Sequence, residues 1–346
     1  MNEKNLTELI SQVEATNESW SRFKHNRERD WGLFGHDMGI HDLNLNLGGW
    51  VPKKVTTIAG RSGHGKTALV TPMFKGGARI LNGRRAEFLF FSWEMGASYV
   101  VDRHICNEAG ITLRMLNQGA KLLDGGVLER LRGYFNEARR LPVTYQQMSL
   151  NIETLKSIGY KFVEECEKKS VIEGIDVQPV IVIDYVGMAQ FQSAGLRTYG
   201  IGDFMNAFKQ FCNVTNAAGL VFAQINRTAD EKTVPDKSDL SDSQAIEMAS
   251  DNLIIIHRPE YNNDQFVFDP RQEKEISSKN KMLCRVVKSR EYGTADFVLE
   301  NDMKYFRFHH LDHTPDYKYW ELYSDRQFWL DHFGLNKGNL EQLKIA

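Results

Sequence analysis

The chain has 346 residues, of which 42% are hydrophobic and 25% are charged, and its formal net charge is −2 at pH 7. Length and composition suit a globular protein with one large domain and appendages, or with two small domains, and the small net charge excludes a basic field over the whole surface. Four widely spaced cysteines without a C-x-x-C pair argue against a disulfide scaffold or a zinc ribbon and favour a reducing cytoplasm, and no apolar run has the roughly 18 residues of a membrane span.

The first segment, residues 1–38, is predicted to hold an amphipathic helix and a linker. Residues 5–23 carry apolar side chains at helical spacing, and the polar run at residues 25–30 is interpreted as the linker. The helix would either pack on its own core or dock on a neighbouring copy of the chain, and the sequence leaves both alternatives open.

The strongest signal is the octet that begins at Gly60, because it fits the phosphate-binding pattern G-x-x-x-x-G-K-[ST]. An apolar run at residues 55–59 predicts a buried strand before it, and a helix is predicted after it, with a kink or an early end at Pro72. Backbone N–H groups of the loop would surround phosphate oxygens, Lys66 would reach the β- and γ-phosphates, and Thr67 would hold Mg²⁺. ATP and Mg²⁺ are therefore the expected cofactors. The candidate nucleotide-binding residues are Gly60, Arg61, Ser62, Gly63, His64, Gly65, Lys66 and Thr67.

Three further polar residues follow predicted strands. Glu94 comes just after a strand predicted over residues 87–92, at the strand end where open α/β sheets bind ligands, and it is a candidate base for the attacking water. The alternative is that Glu94 is an N-cap or a surface acid of the next helix. Asp184 ends an apolar run and is a candidate Mg²⁺ ligand, while Gln224 ends another strand and is placed to sense the γ-phosphate.

Two polar segments come after the strands that end in Asp184 and Gln224. They cover residues 190–202 and 228–239 and contain basic and aromatic side chains that suit a phosphodiester backbone. The alternative is that both are ordinary surface loops. The candidate DNA-binding residues are Arg197, Tyr199, Lys232 and Lys237.

The last third of the chain contains a second cationic pair. After a polar stretch at residues 259–280, interpreted as a solvated insertion, Lys288 and Arg290 follow an apolar strand, and they would present two cations to a phosphate or remain solvated surface charges. A closing hairpin is predicted up to residue 308. The tail, residues 309–346, is rich in aromatic side chains that need a packing partner.

Taken in order, these motifs resemble the C-terminal ATPase domain of DnaB-type replicative helicases, in the RecA-like hexameric helicase family. The resemblance covers about residues 39–308. It rests on the segments Gly-His-Gly-Lys-Thr, Phe-Ser-Trp-Glu-Met, Val-Ile-Asp-Tyr, Ala-Gln-Ile-Asn-Arg, Asp-Leu-Ser-Asp-Ser with Ile-Glu, and Lys-Ser-Arg-Glu-Tyr-Gly. It implies an α/β fold of the RecA-like P-loop NTPase kind, with a mostly parallel central sheet flanked by helices. That core would lie between the N-terminal helix and linker and an aromatic C-terminal extension.

The resemblance also assigns catalytic roles. It implies that Glu94 activates water, that Asp184 supports Mg²⁺ and that Gln224 senses the γ-phosphate beside Lys66. It implies that Lys288 and Arg290 reach the nucleotide of the next subunit as an arginine finger. The two polar segments would line a central channel and hold single-stranded DNA.

An ATP-driven ring helicase is the function that the resemblance implies. It would be a hexamer of identical chains that translocates 5′→3′ on single-stranded DNA and contacts other replisome proteins. The family's N-terminal primase-interacting domain is expected to be missing, because only a short segment precedes Gly39, and this suggests a compact phage- or plasmid-borne helicase. The alternative function is a RecA-like ATPase that acts as a recombination mediator or a helicase loader without unwinding DNA.

Overall fold

The structure is a computed structural model that describes residues 11–28, 33–119, 121, 123–191, 197–225, 234–240 and 243–311. Gly35–His313 forms one compact unit, which contains the central sheet. The first helix belongs to a second unit and is described by itself.

The N-terminal helix, α1, spans Gln12–Glu28. Its side chains Trp20 and Phe23 are exposed, and their rings stack with centroids 5.3 Å apart. Because the helix includes the first four residues of the segment 25–30, the prediction that this whole segment forms a linker is wrong; its last two residues lie outside the described part of the chain. The docking partner of the helix stays a prediction.

The centre of the compact unit is built from β-strands. They are β1 (Val55–Gly60), β2 (Arg84–Ser92), β3 (Val143–Gln146), β4 (Asp176–Asp184), β5 (Ala218–Gln224), β6 (Asn252–His257), β7 (Phe266–Asp269), β8 (Lys274–Ser277), β9 (Lys281–Ser289), β10 (Ala295–Asp302) and β11 (Arg307–His310).

Within the described residues, nine of these strands form one sheet in the order β11-β10-β9-β6-β1-β5-β4-β2-β3. The six strands from β6 to β3 are parallel, and β9, β10 and β11 continue the sheet in antiparallel fashion at one side. Buried, β-branched strands such as β4 and β6 are typical of a parallel sheet covered on both faces. The predicted α/β class with a mostly parallel sheet is confirmed.

Helices cover both faces of the sheet. Alternate residues of one strand belong to different hydrophobic cores: Phe91 packs in the core that includes Leu155 and Phe208, whereas Phe90 packs in the core that includes Phe74. None of the helices in the described part of the chain is long and apolar enough to cross a lipid bilayer. The helices of the compact unit are α2 (His41–Leu47), α3 (Val70–Gly77), α4 (Ala97–Ala109), α5 (Leu113–Gln118), α6 (Gly125–Ala138), α7 (Ile152–Glu173), α8 (Arg197–Thr215) and α9 (Ser243–Ala249).

Pro72 does not end the helix after the phosphate loop. A 3₁₀ turn at Thr67–Leu69 comes first, and α3 begins only at Val70 and continues to Gly77. Pro72 is therefore in the first turn of α3, where a main-chain N–H has no intrahelical acceptor and its loss costs little. The prediction of a kink or an early end is wrong for this reason.

Two predicted loops contain regular structure. In the segment 259–280, a 3₁₀ turn at Pro259–Asn262 is followed by the antiparallel pair β7 and β8. In the segment 190–202, α8 begins at Arg197, so the second half of that predicted loop is helical. Phe204, further along α8, packs in the hydrophobic core.

Candidate nucleotide-binding and catalytic site

The carboxyl ends of four parallel strands meet at one edge of the sheet. Gly60 at the end of β1 pairs with Gln224 at the end of β5, and Ser92 at the end of β2 pairs with Asp184 at the end of β4. This register gathers the predicted phosphate loop, the acids and the amide at the edge where open α/β sheets bind ligands.

A cleft of about 200 Å³ lies at this edge. One wall is the phosphate loop, including Lys66 and Thr67, and the facing groups are Glu94, Arg103 and Tyr261. Polar groups on the loop side are expected for a pocket that receives phosphates.

The backbone of the phosphate loop is shaped by two glycines. Gly63 and Gly65 have φ angles of +80° and +98°, in the left-handed region that glycine adopts without strain. A Cβ on Gly65 would also lie 3.1 Å from the Met303 Cε atom. Side chains at these positions would distort the loop that is predicted to surround phosphate oxygens.

The Lys66 ammonium lies over the loop itself. It donates hydrogen bonds to the carbonyl oxygens of Gly60, at 2.8 Å, and Arg61, at 3.0 Å. Burial lowers the pKa of Lys66, and the carboxylates of Asp184 and Glu94 oppose that shift. The two acids are thus close enough to the ammonium to stabilise its charge.

Asp184 and Thr67 form the candidate metal site. The Thr67 hydroxyl donates to Asp184 Oδ2 at 2.6 Å, and Asp184 Oδ1 is buried without a hydrogen-bond partner among the described residues. Burial raises the pKa of Asp184 to about 6, against the opposing effect of the Thr67 hydrogen bond. A hydroxyl beside a carboxylate with an unused oxygen is the oxygen donor set that Mg²⁺ prefers when phosphates and water complete its shell. These residues therefore fit Mg²⁺.

Glu94 lies just beyond the end of β2. The main-chain N–H groups of Trp93 and Glu94 donate to the Asp184 carbonyl, at 2.9 Å and 3.3 Å, which fixes this turn against the end of β4. The N-cap of α4 is Gly96, without a side-chain cap. The alternative in which Glu94 serves as that cap is therefore wrong, and its side chain lines the cleft instead.

Gln224 borders the phosphate loop without lining the cleft. It is half-buried at the end of β5, and the N–H of the next residue, Ile225, donates to the Gly60 carbonyl at 3.3 Å. The amide therefore stands next to the first residue of the loop.

Arg103 is a cleft residue that the sequence reasoning missed. It lies on α4, and burial lowers its pKa while Asp184 and Glu94 oppose the shift. Its guanidinium lies 5.3 Å from the centroid of the Phe306 ring. An arginine on the helix after a ligand-binding strand is a weak signal, because helical periodicity alone does not tell which face meets the cleft.

A second wall of the cleft lies beside His64 of the phosphate loop. It contains Arg258, just after β6, and Tyr261, from the segment that was interpreted as a solvated insertion. The Arg258 guanidinium lies 4.5 Å from the Tyr261 ring centroid, and both residues line the cleft. The His64 ring lies 5.2 Å from Tyr261, and its Nδ1 accepts the Arg258 main-chain N–H at 3.0 Å. Burial lowers the pKa of His64 to about 3, so the imidazole is neutral at pH 7. A cation and an aromatic ring are thus attached to the phosphate loop.

Lys288 and Arg290 lie far from the phosphate loop of their own chain. β9 is antiparallel to β6, so its last residues reach the edge where the parallel strands begin. The length of β1 separates the two edges by roughly 17 Å. Lys288 Nζ donates to the Glu247 carbonyl, and Arg290 Nη1 lies 3.2 Å from Asp251 Oδ1. The structure does not bring this pair to the cleft in the same chain.

The candidate DNA-binding residues are only partly described. Arg197 and Tyr199 lie in the first turn of α8 rather than in a loop, and their side chains are outside the description. Lys232 lies outside the described residues. Lys237 begins a 3₁₀ turn and forms an ion pair with Glu247 at 3.0 Å, beside Lys288.

The chain is similar in sequence to known proteins. The chain is 25% identical over 280 residues to the replicative DNA helicase DnaB of Mycoplasma genitalium, which covers 78% of this chain and 55% of the relative. It is 23% identical to the same protein of Geobacillus stearothermophilus, covering 90% of this chain and 63% of the relative. The chain thus spans a little more than half the length of these curated relatives.

Solved structures show the same fold. One, an ATPase domain solved by itself, superposes with a TM-score of 0.72 at 18% identity, covering 88% of this chain and all of that one. A DnaB-like replicative helicase, studied with its interactions with primase, gives a TM-score of 0.70 at 18% identity and covers 88% of this chain and 68% of that one. The profile of the DnaB-like helicase C-terminal domain matches residues 35–310, most of the chain. The chain therefore belongs to the DnaB-like helicase C-terminal domain family.

Proposed function

We propose that the protein is an ATP-driven DNA helicase that forms a ring, hydrolyses ATP between protomers and moves along single-stranded DNA. The observation that carries the proposal is the position of the two cationic groups. Lys66 sits at the carboxyl edge of the parallel strands, whereas Arg290 sits at the opposite edge of the same sheet. Each chain therefore contributes its phosphate loop to one active site and its Lys288–Arg290 pair to another.

ATP binds in the cleft at the phosphate loop. Lys66 contacts the β- and γ-phosphates, and Thr67 and Asp184 would hold Mg²⁺, which would supply positive charge to neutralise those phosphates. The adenine base lies against the second wall of the cleft, where Tyr261 presents an exposed ring and Arg258 places its guanidinium over that ring.

Hydrolysis uses groups around the γ-phosphate. Glu94 accepts a proton from the attacking water, because it is the carboxylate of the cleft that is not engaged with Thr67. Gln224, which lies beside the first residue of the loop, senses the γ-phosphate. Arg103, which lies on α4, stabilises the negative charge of the phosphates. Arg290 and Lys288 of the next protomer complete the site, in the manner of an arginine finger supplied in trans.

DNA contacts come from the segments after β4 and β5. Both follow strands that end at the nucleotide, so a change in the γ-phosphate would reach them through the short connections at residues 185–189 and 225–227. The ring is a hexamer by family resemblance, and the relatives' name, replicative DNA helicase, supports a replicative role. Contacts with other replisome proteins are part of the proposal by family resemblance alone. These assignments rest on the family and on the strand topology.

Strand displacement tests the proposal. Partial duplexes with a single-stranded tail at only the 5′ end or only the 3′ end are incubated with ATP and Mg²⁺, and unwinding of the 5′-tailed duplex alone is expected. The Lys66→Ala variant serves as the inactive control. A protein that hydrolyses ATP on single-stranded DNA but opens neither duplex would be a mediator or a loader, and the helicase assignment would fail.

A further inference from the structure

Arg290 rests in a cradle built by its own chain, which we call the finger cradle and define as Glu247, Met248 and Asp251. The carbonyl oxygen of Glu247 accepts from Lys288 Nζ, and that of Met248 accepts from Arg290 Nη2 at 3.2 Å. Arg290 Nη1 lies 3.2 Å from Asp251 Oδ1, and the Arg290 main-chain N–H donates to the Asp251 carbonyl, also at 3.2 Å. The cradle therefore holds both the backbone and the guanidinium of Arg290.

Asp251 is the fixed part of the cradle. Its side chain is buried, whereas 49% of the Arg290 side chain is exposed. Its Oδ2 accepts the main-chain N–H of Val55 at 2.8 Å and the ammonium of Lys209 at 2.5 Å. A buried carboxylate with several fixed donors holds a partner in one place. One side of the guanidinium is thus anchored, and the other is open to a neighbouring molecule.

Helix α8 contacts Asp251 of the cradle and also α9, the helix that carries Glu247 and Met248. Lys209, on α8, bonds Asp251 and also donates to the Lys53 carbonyl at 2.7 Å. Nearer the start of the helix, a Cβ built on Gly202 would lie 3.2 Å from the Cβ of Ala245 on α9, so these helices pack closely. α8 begins directly after residues 192–196, in the segment predicted to hold DNA. A shift of α8 is therefore passed to the cradle through an ion pair and a tight helix contact.

We infer that Asp251 is a positioning residue for Arg290, and that Lys209 transmits the binding of single-stranded DNA along α8 to that residue. The inference rests on the proposed function, because it assigns regulation to the same site between protomers. Small displacements of a positioned catalytic group change rates strongly, about 100-fold for 1 Å. DNA therefore stimulates hydrolysis by setting the position of the guanidinium that the next protomer receives.

The first test measures ATPase rates with and without a single-stranded oligonucleotide. Lys209→Met should leave the basal rate within about two-fold of wild type, while the stimulation by DNA falls at least about ten-fold. Lys209→Arg should keep the stimulation, because it retains the charge. Lys168→Met is the matched control, since Lys168 pairs with Glu164 on the exposed face of α7. If Lys209→Met does not fold, Lys209→Gln, which can still donate to the Lys53 carbonyl, carries the same expectation.

The ratio of stimulated to basal rate does not depend on the fraction of folded protein, so a purely structural role of Lys209 would leave it unchanged. Asp251→Asn should lower the basal rate about ten-fold or more and abolish the stimulation by DNA, with the KM for ATP unchanged, because the pocket of the protomer itself is intact. Adding Lys209→Met to Asp251→Asn should have no further effect, since both substitutions interrupt one path.

The outcomes separate the inference from the proposed function. If Arg290→Ala hydrolyses ATP at the wild-type rate, the trans assignment itself is wrong. If Arg290→Ala abolishes turnover while Lys209→Met keeps the full stimulation by DNA, the inference alone is overturned. Loss of stimulation in Lys209→Met, its retention in Lys209→Arg and a low kcat in Asp251→Asn support it.

Discussion

Two inactive variants should restore ATP hydrolysis when they are mixed. Lys66→Ala removes the ammonium over the phosphate loop, and Arg290→Ala removes the guanidinium at the opposite edge of the sheet. Each variant alone should lose turnover, by about 10³–10⁵-fold for the arginine if it acts as in other NTPases with a finger in trans. An intact site then forms wherever an Arg290→Ala pocket meets a Lys66→Ala neighbour.

The size of the recovery follows from random assembly. In an equimolar mixture, about one interface in four combines an intact pocket with an intact finger, so the basal ATPase rate should reach up to about a quarter of wild type. The roughly 17 Å between the edges of the sheet excludes action of Arg290 on its own pocket. Arg285→Ala is the matched control, because Arg285 lies on β9, the strand that Arg290 follows, but pairs with Asp296, and it should keep the wild-type rate. A mixture that is shown to assemble from both variants and still hydrolyses no ATP would refute the reasoning.

Three further predictions concern the cleft. Burial raises the pKa of Asp184 to about 6, above the ordinary 3.8, so ionisation of Asp184 destabilises the nucleotide-free fold as pH rises from about 4 through 6. Asp184→Asn should therefore raise the thermal midpoint of unfolding at pH 8 but not below about pH 4. ATP with Mg²⁺ should no longer stabilise the Asp184→Asn variant. Glu94→Gln should bind ATP with wild-type affinity, measured by titration, but lose at least about 10²-fold in kcat. Tyr261→Ala should weaken ATP binding by about 1–3 kcal/mol without affecting competition by inorganic tripolyphosphate, if the ring stacks on the base; an equal loss for both ligands would contradict that role.

The edge that carries the candidate site was predictable because several signals there are local. A glycine-rich octet after an apolar run, and acids or amides at the ends of buried runs, are visible in a few consecutive residues. Once the strands are parallel, their carboxyl ends must share one edge, so Lys66, Glu94 and Asp184 come together without any knowledge of strand order.

The second wall of the cleft was not predictable, because it depends on contacts between distant segments. Arg258 follows an apolar strand and Tyr261 belongs to a polar stretch, and only the packing of a 3₁₀ turn beside His64 brings both side chains to the nucleotide edge. Arg103 is one of several charged residues on α4, and its approach to Phe306 of the closing hairpin is a long-range contact. Charge and polarity in sequence do not distinguish such residues from solvated surface groups.

The direction of one strand explains why Arg290 cannot serve the chain that carries it. A parallel neighbour of β6 would deliver its last residues to the nucleotide edge, but β9 is antiparallel and delivers them to the other edge. Action in trans requires a contact that places the cationic edge of one protomer on the nucleotide edge of another. A head-to-tail contact does this, and head-to-tail contacts either close into rings or continue as filaments. Under the proposed function, each active site therefore needs two protomers, because strand topology keeps Arg290 away from the phosphate loop of its own chain.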